Sequence, residues 1–119
     1  MNIERLEILA DALEHFEERF WGLGFDTNVW WRRSGECGMT ACVGGVACMI
    51  PEFQKLGLGL SNERNGCPQF GQLKGSCALK AFFDLSADQA SMMFFPKRSL
   101  KPRDAAGHIR IMIAEASKT

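Results

Sequence analysis

Between Met39 and Phe53 the chain reads MTACVGGVACMIPEF, an apolar run with no charge until Glu52 and with two adjacent glycines inside what otherwise reads as a helix. A segment apolar nearly all round has to be enclosed by the rest of the chain, so it constrains the fold more than any other stretch. At about 100° per residue, Met39, Val43, Val46, Ile50 and Phe53 fall along one side, and Ala41, Gly44, Gly45 and Cys48 fall opposite. A glycine within a helix costs roughly 1 kcal/mol relative to alanine. The pair therefore implies that a second element comes close to the small side. The run is too short to cross a bilayer, which needs roughly 20 apolar residues. The spacing predicts a buried central helix over 40–50, capped by Gly38 or Thr40.

The remaining segments supply the enclosure. In 2–20, Leu6, Leu9, Ala10, Leu13, Phe16 and Phe20 recur at steps of three and four, the pattern of one helical face. Pro51 suits the first position of a further short helix that stops by Gly57 or Gly59. From 57 to 75 the composition shifts to glycine and turn residues, which predicts a glycine-rich loop or a short hairpin around Gln69–Lys74. Ser76 reads as the cap of a helix through Phe83. Ser86 with Gln89 forms a capping box for a second helix to Phe94, closed by Pro96. Pro102 and Asp104 open a last helix with Ala105, Ile109, Met112, Ile113 and Ala116 on its inner face. A chain of 119 residues with 46% hydrophobic content can hold one core. The expectation is a single globular domain over 1–119: mainly all-α, a compact bundle of about five helices around the 40–50 helix.

Charge adds a long-range constraint. Glu4, Glu7, Asp11, Glu14, Glu17 and Glu18 against Arg5 and Arg19 leave the first helix at −4, whereas Lys97, Arg98, Lys101, Arg103, Arg110 and Lys118 against Asp104 and Glu115 leave 97–119 at +4. This complementarity predicts that the first and last helices lie near one another. The formal net charge is zero, which argues against strong non-specific binding to nucleic acid or anionic membrane. The first twenty residues lack the apolar core and cleavage site of a signal peptide, so a cytoplasmic protein with no membrane association is expected.

Cys37-Gly38-Met39-Thr40-Ala41-Cys42-Val43-Gly44-Gly45-Val46-Ala47 resembles the Cys-Gly-Thr-x-Ala-Cys-x-x-Gly-Trp-Ala pattern of small uncharacterised proteins of bacteria and their phages. In those proteins an acidic or mixed helix precedes the motif and a Leu-Ser-x-x-x-Ala-x-x-Leu-Phe-x-Pro-like stretch follows it; the counterpart here runs from Leu85 to Pro96. Met39 stands where threonine is usual and Val46 where tryptophan is usual. The resemblance covers about two thirds of the chain. It implies no activity, but it does imply a phage or mobile-element setting, in which small proteins often act by binding a host protein.

Several residues are candidates for chemistry. Trp30, Trp31, Arg32 and Arg33 set two indoles beside two guanidiniums, a cluster that could plug the core, meet a protein partner or stack on bases. Cys37 lies near the start of the predicted central helix, where free amides and the helix dipole can lower a thiol pKa, which makes a thiol-dependent enzyme the alternative reading. A catalytic thiol wants a base, and only His15 and His108 are available; His15 sits among glutamates as a solvated residue and His108 reads as a core-edge one. The cysteines are spaced Cys37-x4-Cys42, Cys42-x5-Cys48 and Cys67-x9-Cys77, and Cys42 and Cys48 would diverge by about 120° on a helix, so they cannot easily share one zinc ion. No metal site or cofactor is expected, Cys67 and Cys77 being the least unsuitable pair. The glycines of 57–75 form no phosphate-binding loop. Tyrosine is absent and phenylalanine occurs nine times, favouring a dry aromatic core. The resulting expectation is a small non-enzymatic interaction protein that modulates a host macromolecule through a protein partner, as an anti-CRISPR or other anti-defence protein would. The contact surface is assigned to Trp30, Trp31, Arg32, Arg33 and the 57–75 loop, and a nucleic-acid-binding regulator is the further alternative.

Overall fold

The acidic amphipathic segment at the start of the chain forms α1, Ile3–Glu14, whose N-terminus is capped by the Asn2 side chain accepting the Arg5 backbone N–H at 3.1 Å. The computed structural model describes residues 1–20, 23–25, 31–33, 39–60, 67–94 and 101–116. Leu6, Leu9, Ala10, Ala12 and Leu13 are buried, as the three-and-four spacing requires. The single helix expected over 2–20 is broken at His15 (φ −107°, ψ 31°), and Phe16–Arg19 continues as a separate turn, α2. At the break, the Asp11 carbonyl accepts the His15 backbone N–H at 3.2 Å and lies 3.0 Å from His15 Nδ1, so the end of α1 is satisfied locally.

The principal helix–helix contact joins α1 to α7, Pro102–Ala116, which buries Ala105, Ala106, Ile109, Met112 and Ile113. The predicted proximity of the oppositely charged ends is therefore found, and Arg110 donates from Nε to the Glu14 carboxylate across the interface. That hydrogen bond holds the Glu14 carboxyl below the ordinary glutamate range, outweighing the opposing effect of burial with help from the charge of the guanidinium. A carboxylate held low in the folded state adds stability above its unfolded pKa, and the gain disappears as pH falls through the folded pKa. The side chains of Arg110 and Glu14 are 45% and 36% exposed, so solvent screening limits the pair to about 1 kcal/mol or less. Glu14→Gln is expected to lower the melting temperature at neutral pH by at most about 5 °C. Below the folded pKa of Glu14 the two proteins should melt together; a constant difference down to that acidity would rule out the ion pair as its cause.

The run from Met39 to Phe53 divides into three elements. Met39–Ala41 is strand β3, paired in parallel with β1 (Leu23–Phe25, Leu23 opposite Met39) and antiparallel with β2 (Trp31–Arg33, Arg33 opposite Met39) in the order β1-β3-β2. Helix α3 begins only at Val43 and ends at Met49, with Cys42 in extended conformation at its N-cap. The expected helix over 40–50 thus starts three residues late. Thr40 is not its cap, and Gly38 lies outside the described residues. Hydrogen bonding of β3 to strands on both sides overrides any helical tendency in Met39–Ala41, and a single-segment wheel contains no information about those partners. From Val43 to Cys48 every residue of α3 is buried, glycines included.

Ile50 (ψ 120°) interrupts the helical path, and Pro51 opens α4, Pro51–Lys55, as its first residue. Gln54 Nε2 donates to the Cys48 carbonyl at 3.1 Å, satisfying one acceptor that the end of α3 leaves over. Gly57, at φ +102°, turns the chain into β4 (Leu58–Leu60), which pairs antiparallel with β5 (Pro68–Phe70). Beyond Gly71, at φ +62°, the strand β6 (Leu73–Lys74) folds back on β5, which is the short hairpin foreseen at 69–74. Gly75, not Ser76, occupies the N-cap of α5, Ser76–Phe83. The capping box is present: Ser86 Oγ accepts the Gln89 N–H at 3.2 Å and Gln89 Oε1 accepts the Ser86 N–H at 2.9 Å, opening α6, Ala87–Phe94.

Packing converges on phenylalanines. Phe53, Phe82 and Phe83 have ring centroids 4.9–5.5 Å apart in edge-to-face arrangements, Phe70 adds an edge on Phe82 at 5.2 Å, and Phe94 lies 6.1 Å from Phe83. Arg5 closes one side, with its guanidinium 4.3 Å from the Phe82 ring centroid and Nη1 donating to the Phe82 carbonyl at 2.7 Å. The described residues are mainly helical, with two small three-stranded sheets, and none of their helices is long and apolar enough to cross a membrane.

Candidate functional site

Of the residues singled out in the sequence, Trp30 and Cys37 lie outside the described residues. Trp31, Arg32 and Arg33 form β2, at one side of its sheet, with Trp31 opposite Ala41 and Arg32 opposite Thr40. Of the two histidines, His15 ends α1 and His108 is exposed on α7. The core-edge position expected for His108 is not observed, because α7 turns Ala105, Ala106 and Ile109 inward and leaves 108 on the solvent side.

The described cysteines fall into three environments. Cys42 and Cys48 are buried at the two ends of α3, Cys67 is half-buried before β5, and Cys77 is exposed on α5. Burial pushes the Cys48 thiol up to about 12, the neighbouring Cys42 and Cys67 thiols act in the same direction, and the Gln69 backbone N–H opposes them. A thiol so shifted carries almost no thiolate at neutral pH and is a poor nucleophile. Maleimide labelling of the native protein at pH 7 is expected to reach Cys77 promptly and Cys48 only after unfolding. Rapid native labelling of Cys48 would show that α3 opens readily.

One grouping was missed in the sequence. Asp11, Glu14 and His15 each offer a ligand atom within 4.8 Å of the others, at the end of α1. Steps of three and four along one helix face were the available signal. Its carboxylates already have cationic neighbours, Arg110 for Glu14 and Arg19 at 3.7 Å for Asp11. Alongside it lies a cleft of about 440 Å³ between the α1–α2 break and the start of α7, with Glu14 and Glu18 on one wall and Lys101 and Arg103 on the other.

The 57–75 region presents a different surface. The register places Leu58, Phe70 and Leu73 directly opposite one another across β4, β5 and β6, as neighbours on one face of the sheet. Leu58 is 1% exposed, Phe70 is half-buried against Phe82, and Leu73 is 44% exposed, so this row leads from the core out to solvent. Leu56, in the turn entering β4, is 51% exposed. The row arises from strand pairing between residues twelve and three positions apart, so the hairpin was legible in sequence and its apolar outlet was not. Comparison of the chain with protein families, with curated proteins and with solved structures gives no match.

Proposed function

We propose that this chain is a small non-enzymatic protein-interaction module that engages its partner through the β4–β5–β6 sheet. The observation that carries this reading is the row Leu58–Phe70–Leu73, which anchors an exposed leucine on an aromatic core. An exposed apolar side chain that continues a buried row offers a partner a surface to cover, and pairing of its strand orders the backbone before binding, which lowers the entropic cost of association. The resemblance of Cys37–Ala47 to small bacterial and phage proteins supplies the setting: a phage- or mobile-element-encoded protein that modulates a host macromolecule, as in an anti-CRISPR or other anti-defence role.

The test is affinity capture from a host lysate with the full chain and with Leu73→Asp and Leu56→Asp as matched baits. The reading expects a partner recovered by the parent chain and reduced at least about tenfold by Leu73→Asp, equivalent to about 1.4 kcal/mol, while the variant keeps the parent's circular dichroism and melting temperature. Recovery of the same partner undiminished by both substitutions would move the interface elsewhere. No specific partner at all would count against the module itself.

A further inference from the structure

We draw no further inference here: the strongest candidate, the side-chain cluster of Cys42, Cys48 and Cys67 between α3 and the start of β5, rests only on the raised pKa of Cys48, which describes a buried unreactive thiol and points to no ligand or reaction.

Discussion

Replacing Phe53 with alanine is expected to destabilise the protein by about 3–5 kcal/mol, the range for removing a large aromatic from a packed interior. The ring is fully buried and meets two others edge-on, Phe82 at 4.9 Å and Phe83 at 5.5 Å. Three effects therefore act together: lost burial, a residual cavity and loss of two ring contacts worth about 0.5–1.5 kcal/mol each. Collapse to fill the space is restricted, because Phe82 is also fixed by Phe70 and by the Arg5 guanidinium above it. A domain of this size is typically stable by about 5–15 kcal/mol, so the loss takes a large share of the total. Urea titration of both proteins measures it as a lower midpoint. Phe20→Ala, at a half-buried ring 5.7 Å from Phe16, should cost distinctly less. A Phe53→Ala loss under about 1.5 kcal/mol, or one equal to Phe20→Ala, would show that the phenylalanine cluster is not what holds these elements together.

Phe53 also shows what was legible in the sequence. Of the stripe Met39, Val43, Val46, Ile50 and Phe53, drawn on one helical wheel, the last four are buried, carried by α3, by Ile50 and by the second helix that Pro51 marks, whereas Met39 lies in strand β3. Apolar spacing reports which residues face inward and is insensitive to a single extended residue between two short helices. Local chemistry was a good guide where it is self-contained, as with Pro51 at a first helical position and Ser86 with Gln89, although the cap of α5 fell one residue earlier, at Gly75, than the Ser76 expected. Net charge of segments was informative at long range, as the Glu14–Arg110 contact shows. The three-residue strands were beyond reach. Leu23–Phe25, Trp31–Arg33 and Met39–Ala41 are too short to display alternation, and β1 meets β3 in parallel across sixteen positions of sequence, so only the assembled chain specifies them. The same holds for the candidate surface. Leu73 is one exposed leucine in sequence, and pairing with Phe70 makes it the end of an apolar row.

Gly45→Leu is expected to abolish or severely weaken folding, and Gly45→Ala to change stability far less. An exposed helix can rotate an added side chain toward solvent. In α3 that escape is missing, because every residue from Val43 to Cys48 is buried and the helix is followed at once by Ile50, also buried, and by α4. Packed interiors have few voids larger than a water molecule, so four added carbons have to displace backbone or neighbouring side chains. Overpacking typically costs about 1–3 kcal/mol and more where neighbours cannot yield. Around α3 the neighbours are the sheet strands β3, β4 and β5 and the helices α1, α4 and α6, each anchored by further contacts of its own. Alanine has an opposing gain, since glycine in a helix interior is roughly 1 kcal/mol worse than alanine. The sign and size of Gly45→Ala therefore report the room actually present beside the helix, and the leucine variant reports whether that room can be enlarged. Expression in soluble form, far-ultraviolet circular dichroism and a cooperative melt distinguish the outcomes. A Gly45→Leu protein that is soluble and melts cooperatively within a few degrees of the parent would mean that α3 has an open side, and the enclosure that the glycine pair implied would have to be abandoned.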